Sequence, residues 1–185
     1  MNTTQQTQKK LNELFSYYIQ ELDRYTDEQF VYKETESTWS LAQMYQHIYT
    51  ASTFFVYNIN NCLKHKKGSL EGKKTQMGEM LYKHGGFPKQ KIKQPKEWTS
   101  GAPEAKSRNE CKQQWTTLLK QLQGLAAAIA DDSDHYKVKH VIFGMLNSLE
   151  WYQQIEMHTR HHLHQKKELE AFVNISVNEF AYKSS

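Results

Sequence analysis

Apolar residues recur along this chain at helical spacing in four long blocks. Leu11, Leu14, Phe15, Tyr18, Ile19, Leu22 and Tyr25 follow at intervals of three and four, which predicts a first helix from about Thr4 to Tyr25. A second begins at Ser40. There Ser40 and Gln43 have the spacing of a capping box, a hydroxyl before the first turn and an amide three residues on. It runs through LAQMYQHIYTASTFFVYNINNCL. A third spans about Glu104 to Ala130, with Trp115, Leu118, Leu119, Leu122, Leu125 and Ile129 as its stripe. The fourth runs from about Asn147 to Val173.

The stretch between the second and third helices, about Lys67 to Pro103, breaks this pattern. It holds all three prolines, six of the eight glycines and many lysines. A bare loop of that length is unusual, so a partly ordered lid or edge segment is expected there, with a short helical turn at EMLYKH. Four helices and one long crossover predict an all-α chain, a four-helix bundle occupying residues 1–174. The tail, ISVNEFAYKSS, reads either as a short strand or as a frayed end.

Composition narrows the function classes. A chain of 185 residues suffices for one domain with a core and is short for two. The net charge of +4 permits an anionic ligand and calls for neither nucleic acid nor a membrane. Cys62 and Cys111 are far apart and outside any CxxC pair, so neither a disulfide framework nor a cysteine zinc knuckle is expected. With no apolar signal core and no run near the roughly 18 residues that span a bilayer, a reducing cytoplasm is the expected location.

Candidate chemistry lies in HTRHHLH, residues 158–164, where four of the nine histidines fall. At about 100° per residue, His158 lies about 40° from His162. Trp151, Ile155, Leu169 and Val173 share that direction within roughly 20°. His158 and His162 therefore sit on the apolar face, while His161 and His164 point to the flank and the outside. Two imidazoles one turn apart can grip a single ion from one helix. A mononuclear site needs a third ligand, and the histidines left are His47, His65, His84, His135 and His140. Of these, only His47 lies well inside an amphipathic helix, on an inward stripe with Ser40, Gln43, Ala51 and Phe54. Thr159, not Glu, follows His158, so the zinc-protease helix HExxH is not present.

WSLAQMYQHIYTAS resembles the first metal motif of the DinB-like superfamily, which includes the YfiT-type proteins described as metal-dependent hydrolases. HVIFGMLNSLEWYQQIEMHTRHHLHQ resembles that superfamily's last helix and its approach, with Val141 where the family usually carries Pro. The resemblance spans about residues 5 to 173. It implies a four-helix bundle with one divalent ion on His47, His158 and His162, and a homodimer. The helical wheel reaches the same three residues independently.

Three neutral imidazoles with an open position suit zinc, and also admit nickel, iron or manganese. Such an ion activates bound water or a coordinated thiol. The expectation is a metal-dependent hydrolase or low-molecular-weight-thiol S-transferase with a small-molecule substrate; the alternative is a non-catalytic metal-binding or structural bundle. Gln43 and Gln165 are candidates to orient the ligand imidazoles, and Phe54 and Trp151 to line the pocket. No general base stands out. The lysine-rich HKKGSLEGKK and KQKIKQPKEW read as a solvated loop or as a rim for an anionic substrate.

Overall fold

The computed structural model of the protein describes residues 3–87 and 101–183. The segment KQKIKQPKEW falls outside them. The chain is mostly helical with a small sheet. In order it forms α1 (Thr3–Glu21), a 3-10 turn (Leu22–Arg24), α2 (Asp27–Val31), α3 (Leu41–Leu63), β1 (Gly68–Ser69), α4 (Gln76–His84), α5 (Arg108–Ala130), β2 (Lys137–His140), β3 (Gly144–Asn147), α6 (Ser148–His161) and α7 (Leu163–Phe172). The four longest helices pack on one another: α3 lies against α5 and α6, and α1 lies against the same two. None of the described helices is long and apolar enough to cross a membrane.

Capping sets most of the helix starts. The Ser40–Gln43 box is present in both directions, at 3.2 and 3.0 Å. The third helix starts at Arg108 and not at the expected Glu104, because Ser107 and Glu110 form a capping box of their own. The first helix ends at Glu21 instead of Tyr25, and Thr26 caps the short α2 with Gln29. The apolar stripes meet around Trp115. Phe15, Tyr18 and Tyr45 each place a ring 5.0 Å from its indole. Such aromatic contacts supply both area and fixed geometry to the core.

Two features depart from the helical pattern. The residues before α6 form a hairpin, and β1, β2 and β3 make one antiparallel sheet in that order. Val138 and Leu146 face each other across β2 and β3 and are buried, in the alternation a half-covered strand requires. Gly144 opens β3 at φ +81°, and a Cβ there would lie 2.6 Å from the Thr75 nitrogen, so only glycine admits the Lys73–Thr75 strand beside it. Second, the predicted fourth helix is interrupted. His162 ends α6 and precedes α7, so the chain resets one residue from His161.

His140 closes the hairpin tip. Its Nδ1 accepts from the backbone N–H of Ile142 at 3.0 Å and of Phe143 at 3.2 Å. Burial pushes its pKa down to about 4. Val141 between them is 79% exposed, so a side chain without proline's constraint is accommodated at this turn.

α7 and the tail are tied to α1 through a buried ion cluster. Lys166 Nζ donates to Glu21 at 2.8 Å, Glu170 at 2.7 Å and the Tyr17 hydroxyl at 3.0 Å, and its side chain is 1% exposed. Tyr25 donates to Glu170, and Asn178 of the tail donates to Glu21, both at 2.8 Å. The tail is therefore neither a strand nor a frayed end. It is an extended segment pinned to α1, with Phe180 packed 5.1 Å from Tyr17.

Two consequences can be measured. Lys166→Met leaves buried Glu21 and Glu170 with Arg24 as their remaining cation, 2.6 Å from Glu21 and 4.0 Å from Glu170, and is expected to cost about 3 kcal/mol in urea unfolding, the lower end of the range for a broken buried pair. His140 has a folded pKa below its unfolded value, so the unfolded chain binds more protons in between. Its contribution is full above about pH 6.5 and is lost as pH falls toward 4. His140→Asn keeps an acceptor near the same place without titrating, and should flatten this part of the stability–pH curve relative to wild type.

Candidate metal centre

α3 and α6 lie side by side, and this pairing brings His47 of α3 to the last turn of α6. His158 Nε2 lies 3.3 Å from His47 Nε2 and 3.2 Å from His162 Nε2. One ligand nitrogen from each of the three lies within 4.8 Å of the others, the one such group among the described residues.

The spacing fits an ion. Zinc binds imidazole nitrogen at about 2.0–2.1 Å, so two such donors at a tetrahedral angle stand roughly 3.3–3.4 Å apart. The protonation state fits as well. Burial lowers the pKa of His47, and lowers His158 well below its ordinary value, with the His162 and His47 imidazoles adding to the effect. Burial, reinforced by His47, pushes His162 down to about 3. All three rings are neutral at pH 7 and offer lone pairs. Among the described residues buried His158 Nδ1 has no hydrogen-bond partner, and it is Nε2 that meets the other two imidazoles.

Gln165, in the first turn of α7, sits with its Oε1 2.8 Å from His162 Nδ1. An amide oxygen only accepts, so Nδ1 carries the proton and Nε2 presents its lone pair to the cluster. The break between α6 and α7 places Gln165 within reach of this ring.

His47 and His162 open onto a cleft of about 310 Å³ lined also by Ser37, Trp39 and Gln165. Trp39 packs its indole 5.3 Å from the His47 ring. On the inner side Phe55 meets His158 edge-on at 5.8 Å, and Phe87 lies 6.3 Å from it.

The other residues singled out from the sequence take different places. Gln43 is occupied at the start of α3, where its oxygen accepts from Ser40 N and its nitrogen donates to the Pro103 carbonyl at 3.2 Å. It bonds no histidine. Phe54 is 52% exposed and packs on Trp151, and the ring that faces His158 is its neighbour Phe55. Trp151 is fully buried beneath Phe55 and His140, away from the cleft residues. His161 is exposed against Phe87, and His164 is exposed with its Nδ1 3.4 Å from Glu168. His65 and His135 lie near the far end of α3 and before β2, and His84 ends α4. Trp39 opens the family-like stretch WSLAQMYQHIYTAS, whereas nothing in the local sequence pattern singled out Ser37 or Phe87.

A family model described as the DinB superfamily matches residues 6–165, a span that includes all three histidines and Gln165. None of the curated proteins matches the chain.

Gln165→Ala removes the acceptor that fixes the His162 tautomer. A loss of 10–100-fold in divalent-metal affinity is expected, the range typical of groups that orient a ligand imidazole. Isothermal titration with zinc measures it. Gln43→Ala, which acts on the α3 cap, should instead lower the unfolding free energy by about 1 kcal/mol and leave that affinity unchanged.

Proposed function

The chain belongs to the DinB superfamily, and from that premise we propose that it is a metal-dependent enzyme whose divalent ion is held by His47, His158 and His162. The convergence of three neutral imidazoles, two of which line an open cleft, carries this reading. Catalytic zinc sites keep three protein ligands and leave a position free, whereas structural sites are closed by a fourth. Among the described residues no fourth His, Cys, Asp or Glu joins this group. Zinc suits an all-imidazole set, and nickel, iron and manganese are the competing ions.

A bound ion would supply Lewis acidity, bringing the pKa of a coordinated water or thiol toward neutrality. The protein's own contribution is placement. Gln165 holds the His162 tautomer, Phe55 and Phe87 keep apolar surface against His158, and Trp39 offers an indole wall to a small organic substrate. Hydrolysis and S-transfer from a low-molecular-weight thiol are the two reactions such a site serves. The architecture that accompanies it is a four-helix bundle with a long crossover between α3 and α5, and a homodimer is part of the proposal.

One observation favours a second reading, a non-catalytic metal-binding protein. Apart from the histidines, the cleft is lined by Ser37, Trp39 and Gln165, none of which is an acid or base near neutral pH.

Elemental analysis of untagged protein should find about one divalent ion per chain. His47→Ala, His158→Ala and His162→Ala should each abolish it, and His164→Ala should not. Retention of metal by all three single variants would exclude the site. Turnover of ester, amide or thiol-conjugation substrates that tracks metal occupancy decides for the enzyme. Full occupancy without turnover across zinc, nickel and manganese decides for the second reading.

A further inference from the structure

A chain of contacts runs from the C-terminal segment through α6 to a residue beside His158. Glu156 lies two positions before His158 and is 4% exposed. Its carboxylate accepts from Arg160 Nε at 2.6 Å and Nη2 at 3.3 Å, and from the hydroxyl of Tyr182. Arg160 Nη2 also donates, at 2.5 Å, to the carbonyl of Gly85, which caps α4. The guanidinium lies flat against the next residue: a Cβ at Gly86 would stand 3.0 Å from Nη2 and 3.1 Å from Nη1. Gly86 N–H is itself bound to the Leu81 carbonyl at 3.1 Å. Phe87 follows, its ring 5.0 Å from His161, 6.0 Å from Phe143 and 6.3 Å from His158.

An ordinary i, i+4 ion pair on a helix surface does less than this. Here the acid is buried, a third residue from the tail braces it, and the base reaches across to the end of another helix. The guanidinium fork serves both tasks, one edge on Glu156 and one nitrogen on Gly85. A Cβ at residue 86 would already crowd that fork and make it give by a few tenths of an ångström.

We propose that Glu156 and Arg160, braced by Tyr182, are positioning residues that clamp Gly85–Phe87 onto α6, so that Phe87 shields His158 and slows the release of its metal. The consequence for metal rests on the three-histidine reading, whereas the clamp itself stands on the contacts alone. The C-terminal segment thereby becomes part of the metal centre without touching it.

Two readouts on the full-length protein keep these apart. In metal-free protein, Arg160→Ala should speed amide hydrogen exchange at Gly86 by about tenfold, as expected for loss of a charge-assisted hydrogen bond. Tyr182→Phe should speed it by less. In zinc-loaded protein, Arg160→Ala and Phe87→Ala should each speed release to a chelator by about tenfold, and the double variant should release no faster than Phe87→Ala. Phe87→Leu should restore slow release, and Arg160→Lys, which lacks the fork, should not. Unchanged exchange in Arg160→Ala overturns the clamp. Additive effects of Arg160→Ala and Phe87→Ala on release overturn its link to His158. If wild-type protein takes up no zinc, the site reading fails and hydrogen exchange alone decides the clamp.

Discussion

An imidazole nitrogen withdrawn from water has to find a partner, and this constraint organises the structure around His158. The ring is packed against Phe55 and has two other imidazole nitrogens within 3.3 Å. No carboxylate stabilises its cation, and burial together with the neighbouring rings holds it neutral. A neutral ring carries one N–H and one lone pair, and Nε2 is the nitrogen it turns to the other two imidazoles. A divalent ion held by His47, His158 and His162 would take up the lone pairs that three neutral rings turn toward one another. The same packing that makes the site poor for protons makes it suited to a metal.

Holding the cluster requires both sides of the α6–α7 break to be fixed. α6 is fixed by its place between α1 and α3, where Tyr18 donates to the Thr159 carbonyl at 3.2 Å. α7 is short and lies at the edge, and its anchor is Lys166, drawn into a buried cluster with Glu21 and Glu170. Such a cluster adds little net stability, because desolvating the charges opposes their attraction. Its effect is on position. Gln165 is the residue next to Lys166, so anchoring one sets where the other meets His162.

The site is asymmetric in a way that bears on chemistry. One side is an open cleft with an indole, a hydroxyl and an amide, and the other is closed by apolar rings. The cleft is the polar side of the histidine group, and the lower polarity behind His158 strengthens electrostatic interactions at the imidazole nitrogens. Charged side chains near the histidines are turned to structural ends: Glu156 and Arg160 pair with each other.

The sequence by itself determined the long helices and the three histidines, because both are written in local periodicity. A stripe at 3.6-residue spacing has to be buried, and His47, His158 and His162 lie on such stripes whatever the helices pack against. The interruption at His162, the hairpin before α6 and the docking of the tail were not readable in this way. A stripe says which face is buried and not where a helix stops, and four-residue strands such as KVKH carry too little pattern to outweigh their surroundings. Only the tertiary structure decided which glutamine meets a histidine of the group. Gln43 and Gln165 look alike as polar residues beside a histidine stripe, yet one closes a capping box and the other reaches His162 across a helix break. It also decided that Phe55, Trp39 and Phe87 surround the cluster while Phe54 faces solvent, because neighbours in space from three separate segments of the chain share no period in sequence.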